Sequence, residues 1–335
     1  MRYVILSWAF LISSVTTVMA GDFSEHPEAK AFVERMVKEH KFEKGYVEGI
    51  LAQAEKKQAI LDAIARPAEK TKPWYEYREI FLKPARVEGG VKFWQQHANI
   101  LSRVEKEFGV PAEIIVAIIG VETRYGNYMG SYRVVDALTT LGFDYPKRGK
   151  FFSKQLEEFF LLTREQQQDP LAFKGSYAGA MGYGQFIPSS YRSFAIDYDE
   201  DGFADIWTNI SDAIASVANY FKAHGWQTGE PVAQKATRKA QFPERMFNDK
   251  SRPKTSAVEL GKLGFTPISR KAIADKPAVA LKYKGLDSDE YWLGYNNFYV
   301  ITRYNRSRLY ALAVYQLSEE IATSYKKASA APAPL

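Results

Sequence analysis

The feature that most constrains this chain is an unbroken apolar run that ends in a carboxylate. Ile114-Ile115-Val116-Ala117-Ile118-Ile119-Gly120-Val121 leads straight into Glu122, and a polar Thr123-Arg124-Tyr125-Gly126 follows at once. Pro111 suits the first turn of a helix and Gly126 suits its end, so the stretch reads as a buried helix with an acid at its exit. Such a helix needs a shell of other elements around it. A carboxyl among aliphatic side chains is poorly solvated as an anion, so its pKa is expected to rise. A carboxylic acid that stays protonated near neutral pH suits glycosidic-bond cleavage, where the leaving oxygen must receive a proton. The ordinary alternative is a glutamate paired with Arg124 or with solvent.

The first twenty residues differ from the rest. Arg2 supplies a positive start, Val4 to Ile12 is apolar, and Val18-Met19-Ala20 ends in small residues before Gly21. This is the pattern of a secretory signal cleaved after Ala20, short and interrupted by Ser and Thr for a membrane span, with an uncleaved anchor as the alternative. The remainder, in a chain of 335 residues that is 46% hydrophobic and 25% charged, has room for two or three domains. There is no cysteine, which excludes disulfides, thiolate chemistry and a lipid anchor on cysteine. The four histidines (His26, His40, His97, His224) form no zinc-binding pair. A net charge of +6 without any Lys/Arg-dense stripe is weak evidence for an anionic polymer and argues against nucleic acid.

Pro27 to Ala65 has a helical pattern, and a connection rich in proline and aromatics runs from Pro67 to Gly90. Residues 91 to about 235 read as mainly helical. Gln234 to Lys271 is polar and broken by prolines. Two strand-like runs follow, Ala278 to Tyr283 and Tyr291 through Ile301, which predict a small antiparallel sheet. Leu309 to Lys326 returns to helix, and the tail from Ala328 is expected to be disordered.

Two motifs accompany Glu122. Asp197-Tyr198-Asp199-Glu200-Asp201-Gly202-Phe203-Ala204-Asp205 opens like an EF-hand loop, with alternate carboxylates converging on one hard cation and the seventh position, Phe203, offering a backbone oxygen. Position twelve, usually Glu, is Thr208, so the loop must be enlarged and closed by Asp212. Carboxylates this close repel one another unless a cation neutralises them, which favours calcium. Gly175 to Pro188 is dense in glycine and small residues, so its backbone can approach a ligand while Ser176, Tyr177, Tyr183 and Gln185 offer polar groups. It matches neither phosphate-binding glycine motif. The chain has 21 Tyr, 21 Phe and 6 Trp, several beside these motifs, and aromatic-rich clefts favour sugars.

Taken together, Gly120-Val121-Glu122-Thr123-Arg124-Tyr125-Gly126, the Gly175–Pro188 segment, and the acidic loop running into Ser216-Val217-Ala218-Asn219-Tyr220-Phe221 resemble the B-type lytic murein transglycosylases. Tyr291-Trp292-Leu293-Gly294 and Tyr299-Val300-Ile301-Thr302-Arg303-Tyr304-Asn305 extend the match over nearly the whole mature chain. The resemblance implies a mainly α (α+β) fold with a goose-type lysozyme-like helical core at 91–235 that carries a structural calcium loop. It also implies an N-terminal helical domain at 21–90 joined by the C-terminal helix 309–327, and a small antiparallel β domain at 236–305, before a tail at 328–335. Glu122 then stands where the family has its single catalytic acid/base. Ser176, Gln185, Tyr220, Asn305 and Tyr310 match cleft positions, and Tyr77 and Arg148 more peripheral ones. Asp197, Asp199, Asp201, Phe203 and Asp212 are the expected calcium ligands. Relatives anchored in the outer membrane carry a lipidated cysteine, absent here, so the chain resembles the soluble, periplasmic form. The implied partners are peptidoglycan glycan strands, with other cell-wall enzymes as candidate associates. A hydrolytic muramidase on the same fold and a non-catalytic wall- or calcium-binding module are the competing readings.

Overall fold

The computed structural model describes residues 21–65, 72–248, 250–269 and 275–330. The signal-like leader, residues 67–71 of the proline-rich connection and the last five residues lie outside them. Among the described residues no helix is long and apolar enough to cross a membrane. The chain divides into two compact units, one ending at Lys56 and the other beginning at Lys57.

The first unit is a pair of packed helices, α1 (Pro27–His40) and α2 (Lys44–Gln53). Pro27 opens α1 beside His26, whose ring accepts the Glu28 N–H, and Lys41 ends it in the left-handed conformation. Phe32 and Met36 on α1 and Val47 and Leu51 on α2 are buried.

The second unit holds twelve helices among the described residues: α3 (Gln58–Ile64), α4 (Trp74–Phe81), α5 (Pro84–Gln96), α6 (Ala98–Phe108), α7 (Ala112–Thr123), α8 (Val134–Asp144), α9 (Gly149–Glu165), α10 (Pro188–Phe194), α11 (Ile210–Ala223), α12 (Ala257–Lys262), α13 (Asn296–Tyr304) and α14 (Arg308–Ala330). Its strands are β1 (Tyr132–Arg133), β2 (Lys174–Gly175), β3 (Ala233–Arg238), β4 (Thr255–Ser256), β5 (Phe265–Pro267), β6 (Pro277–Lys284) and β7 (Asp289–Gly294). β1 and β2 pair alone; the other five form an antiparallel sheet in the order β4-β6-β7-β3-β5. The expected mainly helical fold with a small antiparallel sheet is what the chain adopts.

α7 is the axis of this unit. Every residue from Ile114 to Gly120 is buried, so the helix has no polar face and must be covered on all sides. α5, α6, α11 and α14 cover it, with Leu101, Val217, Leu312 and Val314 among the packing residues. Each large aliphatic side chain contributes about 1.5–3 kcal/mol by leaving water. A charge at Ile118, which is fully buried, would therefore break the unit.

Three local readings change. The segment Trp74–Gly90 is not a connection: Pro73 is the N-cap of α4 and Pro84 the first residue of α5. Both prolines sit where their missing N–H costs no hydrogen bond. The second strand-like run ends at Gly294, and Phe298 to Ile301 belong to α13. Their aromatic and branched side chains favour strands, but Phe298, Val300 and Ile301 are all buried in the helical core, and packing overrides propensity. The tail is helical through Ala330, as α14 continues.

Candidate active site

Glu122 lies in the last turn of α7, half-buried. The helix stops abruptly after it. Arg124 and Tyr125 both take left-handed backbone conformations (φ 50° and 61°), so Arg124, not Gly126, is the capping residue. Two non-glycine residues in this region are strained unless their surroundings hold them. Tyr125 is held. Its hydroxyl donates to the Arg86 carbonyl at 2.7 Å, and its ring folds back beneath α7. A Cβ on Gly120 would lie 2.6 Å from that hydroxyl and 2.7 Å from the ring, which explains a glycine inside an otherwise aliphatic helix. Arg86 in turn donates to the Gly120 carbonyl near the negative end of α7.

Thr123 locks the same exit to the glycine-rich loop. Its buried hydroxyl bridges toward the carbonyls of Ile119 (3.1 Å) and Tyr183 (3.0 Å) and accepts the Gly126 N–H at 3.1 Å. Gln185, at φ 51°, donates its amide to the carbonyls of Met129 (3.1 Å) and Gly182 (3.0 Å). Gly130 has φ 97° and passes so close to Gly175 that a Cβ would sit 2.0 Å from its carbonyl oxygen. Residues 124–130 and 175–185 are thus one assembly at the end of α7. Ser176 organises its far turn, accepting N–H groups from Ala180 (3.1 Å) and Ala178 (3.4 Å).

A group of tyrosines comes to Glu122 from the C-terminal helices. Tyr310, buried in the first turn of α14, donates its hydroxyl to Glu122 Oε1 at 2.6 Å. Burial, then the adjacent Glu122, pushes the Tyr310 hydroxyl well above its ordinary pKa, so it remains a donor. Tyr304 is raised for the same two reasons and donates to the Gly184 carbonyl at 2.5 Å. Tyr220 on α11 packs edge-on against Tyr304 with ring centroids 4.7 Å apart, and it donates to the Arg303 carbonyl at 2.7 Å. Burial pushes the Tyr220 hydroxyl up to about 12, with Arg303 and Arg306 opposing. Asn305 occupies the link between α13 and α14, where its side-chain amide oxygen accepts the Ser307 N–H at 3.1 Å. Tyr77 is buried on α4, close enough to Tyr310 to contribute to its shift.

Glu122, Gln185, Tyr220, Asn305, Tyr310 and Tyr77 therefore lie on elements that meet around the end of α7. Arg148 is exposed at the start of α9, with its guanidinium 4.3 Å from the Phe151 ring centroid and 5.1 Å from that of Phe152. Tyr304 and Arg86 were not singled out by sequence. Tyr304 falls within one of the resembling strings, but nothing in the pattern marks Arg86.

The acidic loop gathers its carboxylates between α10 and α11. Ligand atoms of Asp197, Asp199 and Asp212 all lie within 4.8 Å of one another. Asp212 is buried in the first turn of α11, where it accepts the N–H groups of Tyr198 and Asp205, each at 2.8 Å. Burial pushes its carboxyl up to about 6 against those two hydrogen bonds, and Asp199 and Asp197 push the same way. Asp197 accepts the N–H groups of Asp201 (3.1 Å) and Gly202 (2.8 Å), which shapes the turn. Asp201 instead accepts the Phe203 N–H at 2.9 Å, and the Phe203 carbonyl accepts Asp205 N–H at 2.8 Å. Three converging hard oxygen donors, one of them the buried Asp212, suit a divalent cation such as calcium.

The family described as Transglycosylase SLT domain matches residues 24–319. Membrane-bound lytic murein transglycosylase B of Escherichia coli K12 is 43% identical over 328 residues, which cover 94% of this chain and 89% of that protein. Soluble lytic transglycosylase SltB1 from Pseudomonas aeruginosa has a crystal structure that superposes with a TM-score of 0.84 at 52% identity, covering 90% of this chain and all of that one. The Escherichia coli lytic transglycosylase Slt35 in complex with calcium superposes at 0.83 with 43% identity, covering 92% and 96% of the two chains. A buried helix ending in an acid, inside a helical core shared over nine-tenths of the chain, places this protein in the transglycosylase SLT domain family, with the B-type lytic murein transglycosylases.

Proposed function

We propose that this enzyme cleaves the β-1,4 bond between N-acetylmuramic acid and N-acetylglucosamine in peptidoglycan, leaving 1,6-anhydromuramic acid ends, with Glu122 as its one acid and base. The observation that carries this reading is the setting of Glu122. The segments around it, 124–130, 182–185 and 304–310, contain no aspartate or glutamate. Glycosidases that use two carboxylates hold them about 5–5.5 Å apart when retaining and about 6.5–9.5 Å apart when inverting. A single acid suffices if the substrate supplies the other groups.

In this scheme Glu122 gives its proton to the glycosidic oxygen, and the bonding pair leaves with that oxygen. The acetamido oxygen of the muramoyl sugar closes on the electron-poor anomeric carbon. The Glu122 carboxylate then takes the proton of the C6 hydroxyl, whose oxygen attacks the same carbon and displaces the acetamido oxygen. Glu122 ends protonated, as it began, and no water is consumed. Attack from within one molecule benefits from effective concentrations of up to about 10⁵–10⁸ M. The last turn of α7 carries the negative end of the helix dipole, which favours the uncharged acid before reaction. The Tyr310 hydroxyl supports the anion after it. Ser176, Gln185, Tyr220 and Asn305 are the proposed cleft contacts to the saccharide, with Tyr77 and Arg148 at its periphery.

Asp197, Asp199 and Asp212 would hold a calcium ion, with Asp201 and the Phe203 carbonyl completing the set. The ion would neutralise the loop and brace α11, and it takes no part in the bond cleavage. Export to the periplasm, through the leader ending at Ala20, brings the enzyme to its polymer. Mass spectrometry of muropeptides released from purified murein tests the reaction. Products ending in anhydromuramic acid support it; reducible muramic acid as the main end would leave a hydrolase on the same fold.

A further inference from the structure

A second concave site lies where α13, β6 and the start of α14 meet, at a pocket of about 250 Å³. Two basic stretches far apart in sequence converge on it: Lys250-Ser251-Arg252-Pro253-Lys254, and Arg303-Tyr304-Asn305-Arg306-Ser307-Arg308. Neither stretch contains an acid. Lys250, Arg303, Arg306 and Arg308 line the pocket. Among the described residues no carboxylate lines it, and none of the four cations is in an ion pair. Asp249, the acid next to Lys250 in sequence, lies outside the described residues. Tyr299 stands between two guanidinium groups, with Arg303 at 5.7 Å and Arg252 at 5.9 Å from its ring centroid. Arg308 is fixed by donating to the Asn248 carbonyl at 2.6 Å and sits at the N-terminus of α14, where the helix dipole adds positive potential. Much of the remaining wall is apolar, with Val279 and Leu281 from β6 and Phe298 from α13.

Four like charges around one cavity repel one another, and a bound anion would relieve that repulsion. The lining narrows the choice of anion. Guanidinium forks pair with the oxygens of carboxylates or phosphates. A carboxylate brings a single charge. A phosphate monoester brings about −1.5 to −2 at pH 7 and three acceptor oxygens, a closer match to three arginines and a lysine. Inorganic phosphate gains nothing from Val279, Leu281 and Phe298, whereas an ester carries an apolar substituent that leaves water on meeting them. We propose that this pocket binds a phosphate monoester with a short apolar substituent, its phosphate among the arginines and its substituent on the apolar wall. The volume is slightly below the ~300–1,000 Å³ of common small-molecule sites, which suits a ligand of that size. A soluble ester and the head of an anionic lipid share this chemistry. The site takes no part in the bond cleavage proposed above, and neither depends on the other.

Calorimetric titration of the intact protein with butyl phosphate, inorganic phosphate and butyltrimethylammonium tests it. Butyl phosphate should bind about tenfold more tightly than inorganic phosphate, the gain from burying roughly two methylenes. The cation should not bind, and the affinity for the ester should fall as salt is added. In the double variant Lys250→Gln/Arg306→Gln, whose two sites are exposed, butyl phosphate should bind at least about tenfold more weakly while the melting temperature holds. That is the size of one hydrogen bond to a charged group. Co-sedimentation with phosphatidic acid vesicles but not with phosphatidylcholine vesicles, lost in the double variant, would put the ester on a lipid surface. Binding of butyl phosphate without co-sedimentation would make it a soluble ester. No binding of butyl phosphate, equal binding of the two phosphates, or binding unchanged in the folded double variant would overturn the assignment. If the variant does not fold, the two phosphates compared on the unaltered protein still decide it.

Discussion

The end of α7 and the loop before α11 use the same functional group in opposite ways. At the α7 exit one carboxylate, Glu122, is placed among tyrosine hydroxyls, and its neighbouring segments bring no second acid. In the acidic loop Asp197, Asp199 and Asp212 converge within 4.8 Å, and the buried one is shifted up to about 6. An acid with a neutral donor beside it can exchange a proton. Crowded acids that repel one another call for a cation. What a carboxylate does is set by its neighbours, and the comparison predicts that substitutions in the two regions fail differently.

The largest effect belongs to the α7 exit. Glu122→Gln keeps the shape and leaves an amide oxygen for the Tyr310 hydroxyl, so folding should persist. Murein cleavage should fall by at least the roughly 10²–10⁴-fold typical of acid–base catalysis. Near-normal lysis by this variant would erase the distinction between the two regions. The next effect is on stability. Calcium should raise the melting temperature of the unaltered protein, by an amount corresponding to about 2.7 kcal/mol at a hundredfold excess over Kd. Asp199→Ala should abolish that rise, and identical melting in calcium and chelator would make the loop an acidic turn only. The smallest effect sharpens the role of Tyr310. Tyr310→Phe removes one hydrogen bond to a charged acceptor, so kcat should fall about tenfold with KM little changed. A loss confined to KM would instead mark the hydroxyl as a contact to the sugar.

The two regions were also legible to different degrees. The α7 run and the D-x-D-x-D-G start are local patterns, and the chain folds them as helix and loop. The exit was misread at one point: Gly126 looked like the capping residue, but Arg124 and Tyr125 take the left-handed turn because Tyr125 is anchored on Arg86 and packed against Gly120. That anchor spans 39 residues and has no local signature. The same holds for the Tyr310–Glu122 hydrogen bond, which joins residues 188 apart. Resemblance marked Tyr310 as a cleft residue, while its partner became visible only in the fold. Phe298, Val300 and Ile301 show the converse limit, where strand-favouring residues were recruited into a helix by the core they fill.

The central claim is that Glu122 works alone and that the C6 hydroxyl takes the place of water. Digestion of purified murein in ¹⁸O-labelled water tests it most directly, read by the mass of the muramic acid ends. The account predicts ends lighter than hydrolysis products by one water, with little ¹⁸O incorporated. Reducible ends carrying ¹⁸O as the main product would contradict it.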